Sequence, residues 1–378
     1  MKIITAATGV IIMSTLGAQA GGLDRSGQDI DIIFETDNRL ELSFGTTRPS
    51  IDGTENGSTG TAARINNVGD GFNLGSGALR YNITDQIAVA VVVDEPYGTD
   101  IAYGGNPAAS ALGGTSATVD SFAITAIGRY KFDDRFSVHG GIRYQEIEAD
   151  VTLGGLGFGG LNGYRGSFAS DGAVGYLVGA AYEIPDIALR VALTYNSEIT
   201  HDLRTTETIG GVPVAPASVT EITAPESLNL SFQSGIAEGT LVFGSVRYAR
   251  YADTRVSPAF FDSAVNPGSS GDSLTDIEDS VDLEIGIGRQ FTDRFAGSIS
   301  IGYSATDSDD LTSPLAPVNG SRNVSIGGSY KLTQDVTLSG GVRYTSFGDA
   351  RPATSGAARA DFDSNSAVSA GFKIAYSF

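Results

Sequence analysis

Few residues in this chain are equipped for covalent chemistry. It has no cysteine and only two histidines, His139 and His201, among 378 residues. Disulfides, zinc–thiolate sites and cysteine nucleophiles are therefore excluded, and little is left for a histidine metal centre. Ser137 stands two residues from His139, the nearest approach to a nucleophile beside a base. No carboxylate falls at a matching height to complete the set, so His139 reads as a satisfied, inward-facing histidine. His201 reads as a solvated residue at a loop edge. The chain is expected to be no enzyme, with no cofactor and no metal.

What remains is charge. Arg143, Arg247 and Arg343 carry planar forks of donors suited to a carboxylate. Such cations either complete ladders with acidic neighbours such as Asp282 and Glu284 or meet the anionic head of a ligand. Residue types alone leave both readings open, and the three arginines are carried forward as candidate ligand contacts. Asp262, Asp272, Asp276, Asp307, Asp309 and Asp310 form an acidic set that reads as a solvated rim before it reads as a surface cation site. Forty-four acids against 24 bases give a net charge of −20, which argues against a nucleic-acid partner.

The elements that must position these groups are strands. Lys2, the apolar run Ile3 to Leu16 and Ala18-Gln19-Ala20 read as a secretory signal over 1–20. Beyond it no apolar run is long enough for a membrane helix, and period-2 alternation dominates. At the C-terminus Val368, Ala370, Phe372, Ile374, Tyr376 and Phe378 share one face, with Ala367, Ser369, Gly371, Lys373, Ala375 and Ser377 on the other. Six tight connections, at 83–86, 132–135, 184–187, 236–239, 291–294 and 332–335, alternate with seven long Gly/Ser/Pro/Asp-rich ones. Fourteen strands result, with turns on one rim and loops on the other, the pattern of an outer-membrane barrel.

A soluble sandwich would alternate as well. Distance decides between them. Tyr144, Tyr195, Tyr248, Tyr303 and Tyr344 lie nine or ten residues past the turn acids Asp134, Asp186, Glu238, Asp293 and Asp335. At ~3.3 Å per residue and a tilt of ~40°, nine residues climb roughly 23 Å, the height of a lipid-facing band with an aromatic girdle. Phe132, Phe136, Phe291, Phe295 and Phe378 mark its lower edge. The expected class is all-β, a 14-stranded antiparallel transmembrane barrel over 38–378, exported to the outer membrane of a Gram-negative bacterium.

Three stretches depart from the pattern. The segment 21–37 precedes the first strand and carries Leu23, Ile30, Ile33 and Phe34, apolar surface that the lumen would bury as a short hatch. In the third strand Ile87 to Val93 is interrupted by Glu95, Pro96, Tyr97 and Gly98, residues that belong at bulges or kinks. The loop near 151–170 intersperses Leu153, Leu156, Phe158 and Leu161 with glycines, an apolar patch of the kind that marks an interaction site. Ile127, Leu177, Leu241 and Phe243 are apolar positions on the lumenal stripe, suited to a greasy passage or to packing a plug.

Taken together, these stretches resemble the FadL/TodX family of outer-membrane transporters for long-chain fatty acids and other hydrophobic compounds. Gly22-Leu23-Asp24-Arg25-Ser26-Gly27-Gln28 leading to Phe34-Glu35, Leu40-Glu41-Leu42-Ser43-Phe44-Gly45 and Ile87-Ala88-Val89-Ala90 with Glu95-Pro96-Tyr97-Gly98 carry the likeness. The resemblance implies capture in an apolar groove at Leu153 to Leu161 and passage through a lumen pocket that displaces the hatch. Sideways release at Glu95 to Gly98 follows, from a monomer set among membrane lipid and lipopolysaccharide. Family members often have a longer hatch than these seventeen residues. A water-filled porin for small polar solutes is the competing expectation, and steady ion conductance would distinguish it.

Overall fold

The computed structural model describes residues 23–265, 271–275, 277–305 and 310–378. The signal-peptide reading, Gly21, Gly22, Asp276, Asp307 and Asp309 lie outside them. Fourteen antiparallel strands follow one another around a closed barrel. The first seven are β1 Arg39–Ser50, β2 Phe72–Asn82, β3 Ile87–Asp94 with Gly98–Ala102, β4 Ser116–Lys131, β5 Phe136–Leu153, β6 Tyr164–Ile184 and β7 Leu189–Asn196 with Ile199–Ile209. The rest are β8 Ser218–Ala224 with Ser227–Ala237, β9 Thr240–Ala249, β10 Ser280–Gln290, β11 Phe295–Ser304, β12 Asn319–Lys331, β13 Val336–Gly348 and β14 Ser366–Ser377. β1 pairs with β14 along its whole length, from Arg39↔Ser377 to Ser50↔Ser366. Closure removes the sheet edge, which hydrocarbon could not solvate.

The alternation predicted along each strand is what sorts lipid from lumen. Ile142 and Ile326 face outward and are 62% and 63% exposed, whereas Ile127 and Phe243, of like chemistry, face inward at 3% each. In water such a belt would be an uncovered apolar surface; in a bilayer it is the hydrocarbon band. Tyr144, Tyr248, Tyr303 and Tyr344 are exposed at its upper edge and Phe132, Phe136, Phe291, Phe295 and Phe378 at its lower one.

All six short connections are observed as turns. Four share one device. Thr84, Asp133, Thr292 and Thr333 each accept two backbone N–H bonds, from the residues two and three further on. The acceptor side chain satisfies donors that the tight turn would otherwise leave bare. In the β8–β9 turn Gly239 sits at φ 63°, where a side chain would be strained.

The long connections gather at the other rim and bury one another. One, between β9 and β10, contains the helix α1, Ala259–Val265. Leu153, Tyr164, Phe168, Leu203, Ile222 and Phe261 form an apolar cluster there, with Phe158, Leu161 and Phe260 packed against it. Glu207, buried, accepts from the Phe260 and Phe261 amides at 2.9 Å and from the Tyr164 hydroxyl at 2.9 Å, fixing the start of α1 over β6.

Two features lay beyond the periodicity argument. β7 is broken between Asn196 and Ile199, and β8 beside it between Ala224 and Ser227, at Pro225. The β6–β7 ladder is also interrupted between Leu177↔Asn196 and Phe168↔Thr205. His201 fills that interruption, with Nδ1 3.2 Å from the Asp171 carbonyl oxygen and no exposed surface. The expectation of a solvated His201 is therefore corrected: the gap turns its ring into the wall.

Candidate functional site

The interruption of β3 is a physical break in the wall. Below it Ile87–Asp94 pairs with both neighbours, reaching Gly77↔Val93 on β2 and Asp94↔Ala123 on β4. Above it Gly98–Ala102 keeps only β4, starting at Gly98↔Asp120. Three residues of β3, Glu95 to Tyr97, thus face two of β4, the count of a bulge. On the β2 side pairing resumes only at Gly69↔Ile101. Seven residues, Asp70 to Ser76, lie between those points; the Asp70 amide still donates to the Asp100 carbonyl, which leaves Gly71 to Ser76, about 20 Å at ~3.3 Å per residue, without ladder pairing on this side. Pro96 lacks a ladder donor. The Tyr97 amide donates instead to Ser121 Oγ at 2.8 Å, and that hydroxyl donates back to the Tyr97 carbonyl at 2.6 Å.

The chain's own N-terminal segment fills part of this edge. Asp24 forms an antiparallel bridge with Tyr97. The Gly98 amide donates to the Leu23 carbonyl at 2.8 Å, and the Arg25 amide donates to the Pro96 carbonyl at 2.9 Å. From there the segment runs down inside the barrel. Ile30, Ile32, Ile33 and Phe34 pack on the lumenal Ala88, Ala90, Val92, Ile127, Leu177, Ala181 and Ala192. Small side chains on the wall leave the room the segment occupies. The Phe34 ring lies 4.9 Å from the Arg129 guanidinium, 4.7 Å from that of Arg190 and 5.3 Å edge-on to His139. Arg80, 1% exposed, clamps the far end by donating to the Ile33 and Asp37 carbonyls at 3.3 and 2.8 Å. Leu23 packs separately, against the cluster of Tyr97, Ile147, Ile199 and Tyr251.

The three candidate arginines are all taken up by partners. Arg247 holds Asp24 with both Nε and Nη2 at 2.8 Å and donates to Ser227 and Asn229 at 2.9 and 2.8 Å. Its other contacts are to Gln28 Oε1, at 3.3 and 3.4 Å. Arg343 pairs with Glu284 at 2.9 Å and donates to Ser325 at 2.8 Å. Arg143 donates to Thr125 and Asn196 at 2.9 and 3.1 Å. Lumenal charge thus ties strand to strand and, through Asp24 and Gln28, strand to N-terminal segment. Asp24 and Gln28 carry part of the family likeness but are not among the candidate site residues, because the burial argument for the segment weighs only its apolar side chains. The available signal was the placing of Asp24, Arg25 and Gln28 within a stretch otherwise suited to burial.

His139 and Ser137 form no catalytic pair. His139 Nε2 lies 2.8 Å from Thr194 Oγ1, and Ser137 Oγ accepts from Arg129 Nε at 3.0 Å.

A cavity of about 900 Å³ connects the window to the periplasmic rim. Leu74, Gly75, Asp94 and Glu95 line its upper end, Asn38 and Phe378 its lower one. In between its walls are charged, with Asp31, Glu35, Glu41, Arg190 and Lys373 among them. Asp31 Oδ2 lies 3.5 Å from Arg190. Burial carries the Asp31 carboxyl up to about 6, against the pull of Arg190. A smaller cavity, about 130 Å³, lies between Gln28, Ile30 and Phe34 of the segment and Phe243 and Arg247 of β9.

At the extracellular rim Leu153 is 3% exposed and lies inside the loop cluster, Phe158 and Leu161 pack against it, and Leu156 is 40% exposed. The loop therefore presents less apolar surface than its sequence suggested, because α1 and its neighbours cover it. Of the acidic set, Asp262 accepts from the Asp272 amide at 2.8 Å and Asp310 pairs with Arg351. Among the described residues no group of three potential ligands is spaced for a metal.

A closed wall of fourteen antiparallel strands with an apolar outer belt defines the class: an outer-membrane β-barrel. The chain belongs to the family described as outer membrane protein transport protein (OMPP1/FadL/TodX), whose profile matches residues 32–378. It is accordingly an outer-membrane barrel of Gram-negative type, from a family of hydrophobic-compound transporters. Solved structures share the fold at low identity. A FadL homologue of Pseudomonas aeruginosa is 13% identical over 92% of both chains, with a TM-score of 0.70. The toluene transporter TodX of Pseudomonas putida is 12% identical over 98% of this chain and 100% of its own, with a TM-score of 0.65. The toluene transporter TbuX of Ralstonia pickettii is 12% identical over 100% and 98%, with a TM-score of 0.62. No curated protein matches the chain.

Proposed function

We propose that this protein takes up long-chain fatty acids or other hydrophobic compounds passively and releases them sideways at the β3 kink. The observation that carries this reading is the unpaired β2–β3 edge opening on the cavity beneath it. A cargo there faces charged walls toward the periplasm and an apolar outer belt beside it, so partition favours leaving through the wall. Capture falls to the loop around Leu153, Leu156, Phe158 and Leu161. Phe243, with Arg143, Arg247 and Arg343 above and around it, lines the way past the segment 21–37, which serves as the hatch. Residues 1–20 are the export signal and 38–378 the working barrel. It acts as a monomer among lipid and lipopolysaccharide, without a cofactor or covalent step.

The test is uptake of labelled oleate and toluene by cells expressing the full chain. Register between β2 and β3 is the same on both sides of the gap, with seven residues on each strand between Gly77↔Val93 and Gly69↔Ile101. Pro96→Val supplies the donor that the ladder lacks and should therefore let the wall close without slip and abolish uptake. Unchanged uptake would sink the lateral route. The charged cavity favours a second reading, a conduit for small polar solutes. Steady conductance of the wild-type barrel in planar bilayers would support it, and a closed barrel would exclude it.

A further inference from the structure

The window is blocked by a cation. Asp24 points inward to Arg247, so alternation along Leu23–Arg25 turns Arg25 the other way, into the gap. Its guanidinium occupies the space that a side chain at position 98 would need: a Cβ on Gly98 would lie 2.1 Å from Arg25 Cζ. The Phe72 ring covers it at 4.6 Å, and Arg25 is 5% exposed.

For so buried a cation the partners are poor. Glu95 and Asp120 lie 4.0 and 3.8 Å from Nη1, beyond hydrogen-bond reach, and Nε has no acceptor. Arg247, buried to the same degree, has a carboxylate at 2.8 Å on two nitrogens. A guanidinium offers five donors in a plane that fits a carboxylate two at a time. A carboxylate arriving in the cavity would gain short bonds that Arg25 now lacks, and Arg25 lines the upper end of that cavity.

We propose that Arg25 is the specificity-determining residue of the lateral window, leaving Phe72 to pair with the carboxylate head of an amphipathic cargo and staying in place before an uncharged one. This rests on the lateral route above. A hydrocarbon or alcohol cannot replace two carboxylates and a ring face as partners of the guanidinium, so it meets a closed bolt. An acid replaces them, and Glu95 and Asp120 then repel its head and limit its stay.

The experiment compares palmitate with hexadecanol, equal in chain length and different in charge, for transport by the full chain in proteoliposomes. Variants are Arg25→Gln, Arg25→Lys and Phe72→Leu, each checked for barrel folding by heat-modified gel mobility. Wild type should favour palmitate. Arg25→Gln should cut palmitate transport by about tenfold, the worth of one charge-assisted hydrogen bond, and leave hexadecanol equal or faster. Arg25→Lys should keep part of the preference, and Phe72→Leu should speed hexadecanol. Equal change in both cargoes, or none, overturns the role of Arg25 while leaving the route intact. If wild type moves neither cargo, or the Pro96→Val wall passes both, the route fails and this role fails with it.

Discussion

Asp24 and Arg247 meet inside the barrel with almost no solvent around them. Removing one member of such a pair leaves the other as an uncompensated buried charge, at a cost of about 3–5 kcal/mol. Asp24→Ala should therefore undock the start of the segment. Amide exchange over residues 24–34 should rise by roughly a hundredfold to a few thousandfold, at about 1.4 kcal/mol per tenfold. An unchanged exchange pattern would mean that the pair does not anchor it. Asp31 gives the same segment a pH dependence. Its carboxyl, raised to about 6 in place, holds its proton more tightly docked than free. Its contribution to docking is full below the ordinary carboxylate range, near 4, and is lost as pH rises through about 6. Arg190 and Lys373 oppose this shift, and Asp29 and Glu35 add to it. Protease cleavage of the segment should increase between pH 4 and 7, and Asp31→Asn should flatten that profile. These contacts could not be read from residue types, because the partners are far apart in the chain: Asp24 and Arg247 are 223 residues apart.

At the scale of elements, the interruption of the third strand was readable, although pairing with β4 already resumes at Gly98, the last residue of the expected kink. Pro96 and Gly98 predicted an interruption because one lacks a donor and the other a side chain, and the ladder breaks there. What fills the break was hidden, since a ladder partner contributed by the chain's own start leaves no mark in the periodicity. The extracellular loops show the converse. Their apolar residues were visible, but their mutual burial was not, because it depends on α1 reaching across to Glu207. Glu207→Ala removes three hydrogen bonds at that contact, at about 1 kcal/mol each. It should expose α1 to protease at a concentration that leaves wild type intact. Equal resistance would show that apolar packing alone holds α1 in place.

For the whole molecule, the barrel supplies a rigid wall and the segment supplies its contents. Deleting residues 21–37 from the mature chain should leave the fourteen-stranded barrel folded, because the strands close on one another from β1 to β14 without the segment. It should also join the 900 Å³ cavity to the space above it. Planar-bilayer conductance should then rise well above that of the full chain. A deletion variant as silent as wild type would place the barrier in the extracellular loops instead.

Strand number, the handing of turns to one rim and loops to the other, the lipid-facing stripe, the aromatic girdle and the position of the kink all follow from local order, because period-2 alternation and turn chemistry are written between near neighbours. Which arginine meets which acid, whether the loop's leucines lie open or covered, and that Arg25 stands in the gap of a strand some seventy residues away became visible only once the barrel closed. Closure brings together groups whose separation along the chain carries no information about their separation in space, and in a lumen of low dielectric those encounters decide what a passing molecule meets.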